Sequence, residues 1–216
     1  MELELDPVEL RVLGALIEKE ITTPEYYPLS LNALVNACNQ KSNRYPAVNY
    51  EETDVEDALE RLRARGLAIR TTGAGSRVPK HSHRFTERLN PDRRETAILC
   101  ELMLRGPQTV GELRTHTERM HHFDDTDEVE TVLNRLMERS PDPLVMRLGR
   151  RAGEKEVRYA HLFSGVPAVT DEPAAAEEAH TPRADRIGIL EGEVARLRGE
   201  IESLKAQFAQ FREQFE

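Results

Sequence analysis

The chain of 216 residues contains no tryptophan, only two cysteines, and few aromatic residues of any kind. Two cysteines cannot build a disulfide-stapled scaffold. Cys38 and Cys100 each sit among apolar residues in helical spacing, which predicts two buried thiols. Long apolar runs are missing too: no stretch approaches the ~18 uncharged residues of a spanning helix. The N-terminus, Met1-Glu2-Leu3-Glu4, is acidic where a secretory signal is basic and then apolar. No membrane association and a cytoplasmic location are therefore expected. Excess positive charge is also lacking. A formal net charge of -9 excludes a protein coated all round with cations for indiscriminate polyanion binding, and leaves a local basic patch open. Enzyme signatures are missing as well: there is no P-loop, no GxGxxG after a strand, no HExxH, no GxSxG and no CxxC pair. Neither catalysis nor a cofactor is expected.

What the chain does have is an internal repeat. Leu5-Asp6-Pro7 and Leu89-Asn90-Pro91 each place a capping side chain before a proline at a first helical position, and each opens an apolar-periodic run. The first run reaches Glu20 and the second Arg105, stopped by Gly106-Pro107. A short second helix follows in each copy, Ser30 to Asn39 and Thr109 to Thr117. The third helices match best: Val55-Glu56, Leu59, Arg61-Leu62 and Arg65 correspond to Val129-Glu130, Leu133, Arg135-Leu136 and Arg139. Two β-type runs around a glycine-containing turn come next, Leu67 to Thr71 and Arg77 to Phe85, then Leu144 to Leu148 and Val157 to Leu162. Helix, helix, helix, hairpin is the order of a winged helix. The expected architecture is mostly α (α+β): a winged-helix domain over residues 1–86, a second over 87–165, a linker over 166–182 and a coiled-coil helix over 183–216.

The linker is read from Pro, Ala, Glu and small polar residues without apolar periodicity. Beyond it Ile187, Leu190, Val194, Leu197, Ile201, Leu204, Phe208, Phe211 and Phe215 alternate in spacings of three and four, a heptad seam of about four heptads. Ile and Val at a with Leu at d favour two parallel strands, and Glu193 with Arg198 and Glu200 with Lys205 occupy g and the following e positions. A parallel homodimer is expected. An amphipathic helix folded back on its own domains is the alternative.

Candidate binding residues fall in three places. The first is the hairpin of the first copy: Arg61, Arg63, Arg65, Arg70, Arg77, Lys80 and Arg84 follow one another with no acid among them, as in a wing that contacts phosphates. Helix-dipole complementarity accounts for Arg61 to Arg65 but not for Arg77, Lys80 and Arg84. His81 and His83 read as surface or phosphate-contacting groups. The second is the third helices. With Val55, Leu59 and Leu62 buried, Asp57, Glu60, Arg61 and Ala64 face outward and suit phosphates badly. The second copy exposes Thr131, Asn134, Arg135 and Glu138, and Asn134 and Arg135 are its candidates for base edges. The third is the inserted segment Asn39, Gln40, Lys41, Ser42, Asn43 and Arg44, all donors or acceptors with no apolar content. It forms either a binding surface or a set of caps for its own loop. A cluster of His116, Met120, His121, His122, Asp124 and Asp125 lacks metal-ligand spacing and reads as a solvated helix-to-loop junction.

Glu18-Lys19-Glu20-Ile21-Thr22-Thr23-Pro24-Glu25-Tyr26-Tyr27-Pro28-Leu29-Ser30-Leu31-Asn32-Ala33-Leu34 and Cys38-Asn39-Gln40-Lys41-Ser42-Asn43-Arg44 resemble the YceH family of uncharacterised bacterial proteins. The resemblance continues through Ser76-Arg77-Val78-Pro79-Lys80, His83-Arg84 and Tyr159-Ala160-His161-Leu162. Tyr45 departs from it, standing where the family usually has an acidic residue, and so does His81, where it usually has an aromatic. The resemblance implies a tandem winged-helix fold and no established activity. Together these readings lead to a non-catalytic protein that binds double-stranded DNA in transcriptional control through a basic wing. A protein–protein adaptor is the alternative.

Overall fold

The computed structural model describes residues 4–71, 78–149 and 156–165. Arg77 lies outside these residues. So do the linker and the whole heptad segment, with Ile187, Leu190, Val194, Leu197, Ile201, Leu204, Phe208 and Phe211.

The first helix, α1 (Pro7–Thr22), begins where the chain supplies its own cap. Asp6 accepts the Val8 and Glu9 amides at 2.8 Å each, and Glu9 returns a carboxylate oxygen to the Asp6 N–H at 2.8 Å. Residues Glu9 to Glu18 of α1 are all buried, so the helix is covered on every side. A short 3₁₀ turn (Pro24–Tyr26) leads to β1 (Leu29–Ser30), and Ser30 caps α2 (Leu31–Cys38). Then come α3 (Glu52–Ala64), β2 (Ala68–Thr71) and β3 (Lys80–His83), in an antiparallel sheet of order β1-β3-β2.

A connector helix α4 (Phe85–Leu89) precedes α5 (Arg93–Arg105), α6 (Val110–His116), α7 (Thr126–Glu138), β4 (Val145–Arg147) and β5 (Tyr159–His161). The element order of the first half thus recurs. Even β1 has a counterpart, because Gln108 and Tyr159 exchange backbone hydrogen bonds of 3.0 and 2.8 Å beside β5. The described residues make a mixed α/β protein, mostly helical, with seven α-helices and two small sheets.

Two expected boundaries move. Asn90 and Pro91 do not open α5. Asp92 is its cap, with Glu95 completing the same box that Asp6 and Glu9 form, and Asn90 ends α4 in the left-handed region at φ 48. The strand expected to reach Phe85 stops at His83, because Phe85 buries its ring at the start of α4, edge-on to Phe163 at 5.8 Å.

One core runs through both halves, with α1 packed on α3 and on α5. At the α1–α5 crossing, Cys100 Sγ meets the Gly14 carbonyl at 3.3 Å, and a Cβ on Gly14 would lie 2.8 Å from Leu104 Cδ2. Leu104 is itself fully buried and has nowhere to go. Gly14→Val is expected to destabilise the fold by about 1–3 kcal/mol through overpacking, read as a lowered urea midpoint.

Candidate nucleic-acid interface

In the first hairpin, β3 pairs Lys80 with Thr71 on one side and with Ser30 on the other, while His81 and His83 face Arg70 and Ala68 across β2. Burial alternates along β3, so Lys80 stands outward and both histidines inward. This corrects the expectation for the histidines: His81 and His83 are core groups. His83 accepts the Phe85 amide on Nδ1 at 3.2 Å, its own N–H reaches the Tyr27 hydroxyl at 2.8 Å, and Nε2 lies 2.8 Å from Glu20 Oε2. Burial pushes both imidazoles below the ordinary histidine value, away from the charged form a phosphate would need.

The basic run divides into two groups. On α3, Arg61 reaches Asp6 at 2.9 Å and Glu9 at 3.6 Å. Arg65 reaches Glu9 at 3.4 Å and the Glu4 carbonyl at 2.8 Å, and Arg63 pairs with Glu60. The acids missing from the local sequence come mostly from the start of α1. Arg70, Lys80 and Arg84 are exposed and have no ion pair among the described residues.

The third helix of the second half repeats the pattern of the first. Arg135 Nη2 reaches Asp92 Oδ2 and Glu95 Oε1 at 2.8 Å each, as Arg61 reaches Asp6 and Glu9. Arg139 donates to the Leu89 carbonyl, as Arg65 does to Glu4. Arg135, itself exposed, therefore clamps the capping box of α5. Hydrogen bonding to Asp92 and the charge of Glu95 raise its pKa further. Asn134 stays exposed. Carboxylates are exposed on the outward faces of both third helices, Glu52, Asp57 and Glu60 on α3 and Asp127, Glu130 and Glu138 on α7.

The inserted segment is a clasp. Asn39 holds Tyr50 by two backbone bonds of 2.8 Å, Gln40 accepts from Lys19 at 3.3 Å, and Asn43, left-handed at φ 58, accepts from Arg105. Arg44 is buried. It is bidentate on Glu18 at 2.6 and 3.2 Å and also donates to the Ala37 carbonyl at 3.2 and 3.0 Å. Burial raises the Glu18 carboxyl, but the hydrogen bond and charge of Arg44 outweigh it, and the group ends below its ordinary value. The Tyr45 N–H reaches the Leu104 carbonyl at 2.9 Å. Arg11 ties the Cys38 and Pro46 carbonyls at 3.0 and 2.7 Å. Of the six candidates only Lys41 and Ser42 are exposed. Sequence reasoning missed Glu18 as the partner, although one segment of the resemblance opens with Glu18 and the other closes with Arg44.

Among the described residues no group of three or more His, Cys, Asp or Glu side chains could hold a metal. His116 Nδ1 lies 2.5 Å from Gln108 Oε1, and His122 pairs with Glu118 at 2.8 Å. Both cysteines are buried thiols, and burial pushes Cys38 up to about 12. No described helix is long and apolar enough to cross a membrane.

The geometry defines a class: a mostly helical α/β protein whose two copies of one element order share a core, with a basic hairpin on the first copy. Within that class, the chain belongs to the family described as "Protein of unknown function, DUF480", whose model matches residues 5–154. Full-length relatives are called UPF0502 proteins. One from Solibacter usitatus is 56% identical over 218 residues, and one from Geotalea uraniireducens is 53% identical over 221, each alignment covering 100% of both chains. One from Aeromonas hydrophila is 49% identical, covering 97% of this chain and 99% of the relative. The resemblance to an uncharacterised bacterial family holds along the whole chain.

Proposed function

We propose that each half is a winged helix and that the protein acts by binding, without catalysis, on duplex DNA. The first hairpin makes the contact, in the manner of a transcriptional regulator in the cytoplasm. One observation carries this reading: within a single basic run, the α3 arginines are paired with carboxylates, while Arg70, Lys80 and Arg84 on and beside the hairpin are exposed without an ion pair among the described residues. Exposed cations without a carboxylate partner among the described residues suit phosphates. The contact is mainly to the backbone, since Arg135 is held by Asp92 and Glu95 and leaves Asn134 alone to reach base edges. The heptad sequence supports a homodimer, which would present two hairpins to paired half-sites.

A titration of the full chain with random-sequence duplex across a salt series tests this. Lys80→Ala and Arg84→Ala are each expected to lower the slope of log affinity against log salt by about one unit, for all sequences alike. Arg135→Ala is expected to leave sequence preference unchanged. Absence of binding at low salt would overturn the reading. A second reading, a protein–protein adaptor, is supported by the acidic outward faces of α3 and α7, which repel phosphates and suit a basic protein surface.

A further inference from the structure

We propose that the DNA-contacting surface does not end at the hairpin but runs onto the connector helix α4, with Arg88 as a phosphate-contacting residue. The inference rests on the DNA reading above and adds a residue that neither the basic run nor the hairpin includes.

Side chains alternate along an extended strand, so Lys80, Ser82 and Arg84 share the outward face, opposite the buried His81 and His83. Arg84 continues the ladder, donating its N–H to the Leu67 carbonyl at 2.8 Å. It is also the residue from which α4 starts, and the Arg88 N–H closes the first turn onto the Arg84 carbonyl at 3.0 Å. Positions four apart lie one above the other on a helix, so Arg84 belongs to both the strand row and the helix row. Lys80, Arg84 and Arg88 therefore form one line. Its strand part spans roughly 13 Å at ~3.3 Å per residue, close to the ~12 Å width of a major groove. Its helical part adds about 6 Å at ~1.5 Å per residue. All three side chains are exposed and none has an ion pair among the described residues.

The one carboxylate of α4 makes no ion pair with the line among the described residues. Glu87 acts electrostatically on Tyr27 and His83, the groups packed on the inner side of the hairpin. Phe85 fixes the helix by burying its ring against Phe163, so the arginines are carried on an anchored element.

The test uses the full chain and a labelled random-sequence duplex at several salt concentrations, comparing Arg88→Ala, Lys80→Ala and Arg119→Ala. Arg119 is another exposed arginine without an ion pair among the described residues, placed in the second half. Arg88→Ala is expected to weaken binding several-fold at low salt and to lower the salt slope by about one unit, matching Lys80→Ala, while Arg119→Ala binds like wild type. Arg88 is exposed, and an unchanged melting temperature will show that the variant folds. If Lys80→Ala lowers the slope and Arg88→Ala does not, the line ends at the hairpin: this inference falls and the DNA reading stands. If wild type does not bind, both fall. If all three variants weaken binding equally, the effect is one of general charge and the assignment of Arg88 is overturned.

Discussion

Arg44→Ala is expected to cost about 3 kcal/mol of stability, measured by urea denaturation, because removing one partner of a buried ion pair leaves the Glu18 carboxylate with only Lys19 Nζ at 3.4 Å. The Arg44 side chain is fully buried and that of Glu18 only 3% exposed, so the lost contact is not replaced by bulk solvent. Arg44→Lys is expected to restore little, since an ammonium cannot hold Glu18 through two nitrogens and still reach the Ala37 carbonyl in the same plane. Replacing both partners, Arg44→Met with Glu18→Met, is expected to recover much of the loss, because no buried charge is then left unpaired. Lys41→Ala, three residues away and exposed, should stay within ~0.5 kcal/mol of wild type. An Arg44→Ala chain as stable as wild type would refute the clasp.

That contrast marks the limit of what local sequence reveals. The duplication, the third helices and the Asp6 cap were legible because they depend on neighbours in the chain: apolar spacing, a proline at a first helical position, a carboxylate three residues on. The partners of the arginines were not. Arg61 and Arg65 look unneutralised from residue 61 to residue 86, yet Asp6 and Glu9 meet them from 55 or so positions upstream. Arg44 looks like a surface donor because Glu18 is 26 positions away in the chain. The sequence Lys80-His81-Ser82-His83 hides its inward face for a different reason. Two imidazoles, lowered in pKa by burial, occupy places where apolar side chains would have announced a half-buried strand. Asn90 misled as a cap because the same side chain that starts helices also tolerates the left-handed conformation that ends them. Among the described residues, the candidates left exposed are Arg70, Lys80 and Arg84 by the hairpin, Lys41 and Ser42 in the inserted segment, and Asn134 on α7.

The second large effect is set by pH at the α1–α5 junction. Glu101 lies beside Glu18 and Arg44, with Arg105 Nε at 2.9 Å, and its side chain is 4% exposed. Burial raises its carboxyl to about 7 against 4.5 for the free group; Arg105 pulls it down less than burial and the like charge of Glu18 push it up. The folded chain therefore keeps a proton that the unfolded chain has released. Between those two values stability falls as pH rises, by about 3 kcal/mol in all, and stays low above them. The buried histidines act in the opposite sense. His161, lowered by burial to about 4, and His83 and His81, lowered likewise, bind fewer protons folded than unfolded, so their contribution grows as pH rises toward 6.5. Glu18, held below its ordinary value, loses its contribution only at lower pH, outside this window. Wild type should accordingly show a flattened profile from the two opposed slopes. Glu101→Gln removes one of them. Unfolding free energies measured from pH 4.5 to 8 are expected to rise more steeply in the variant, the difference from wild type shifting by about 3 kcal/mol in the variant's favour across that range. A difference that stays constant with pH would mean that Glu101 is ionised throughout and that Arg105 and Arg44 together hold both carboxylates charged within the junction.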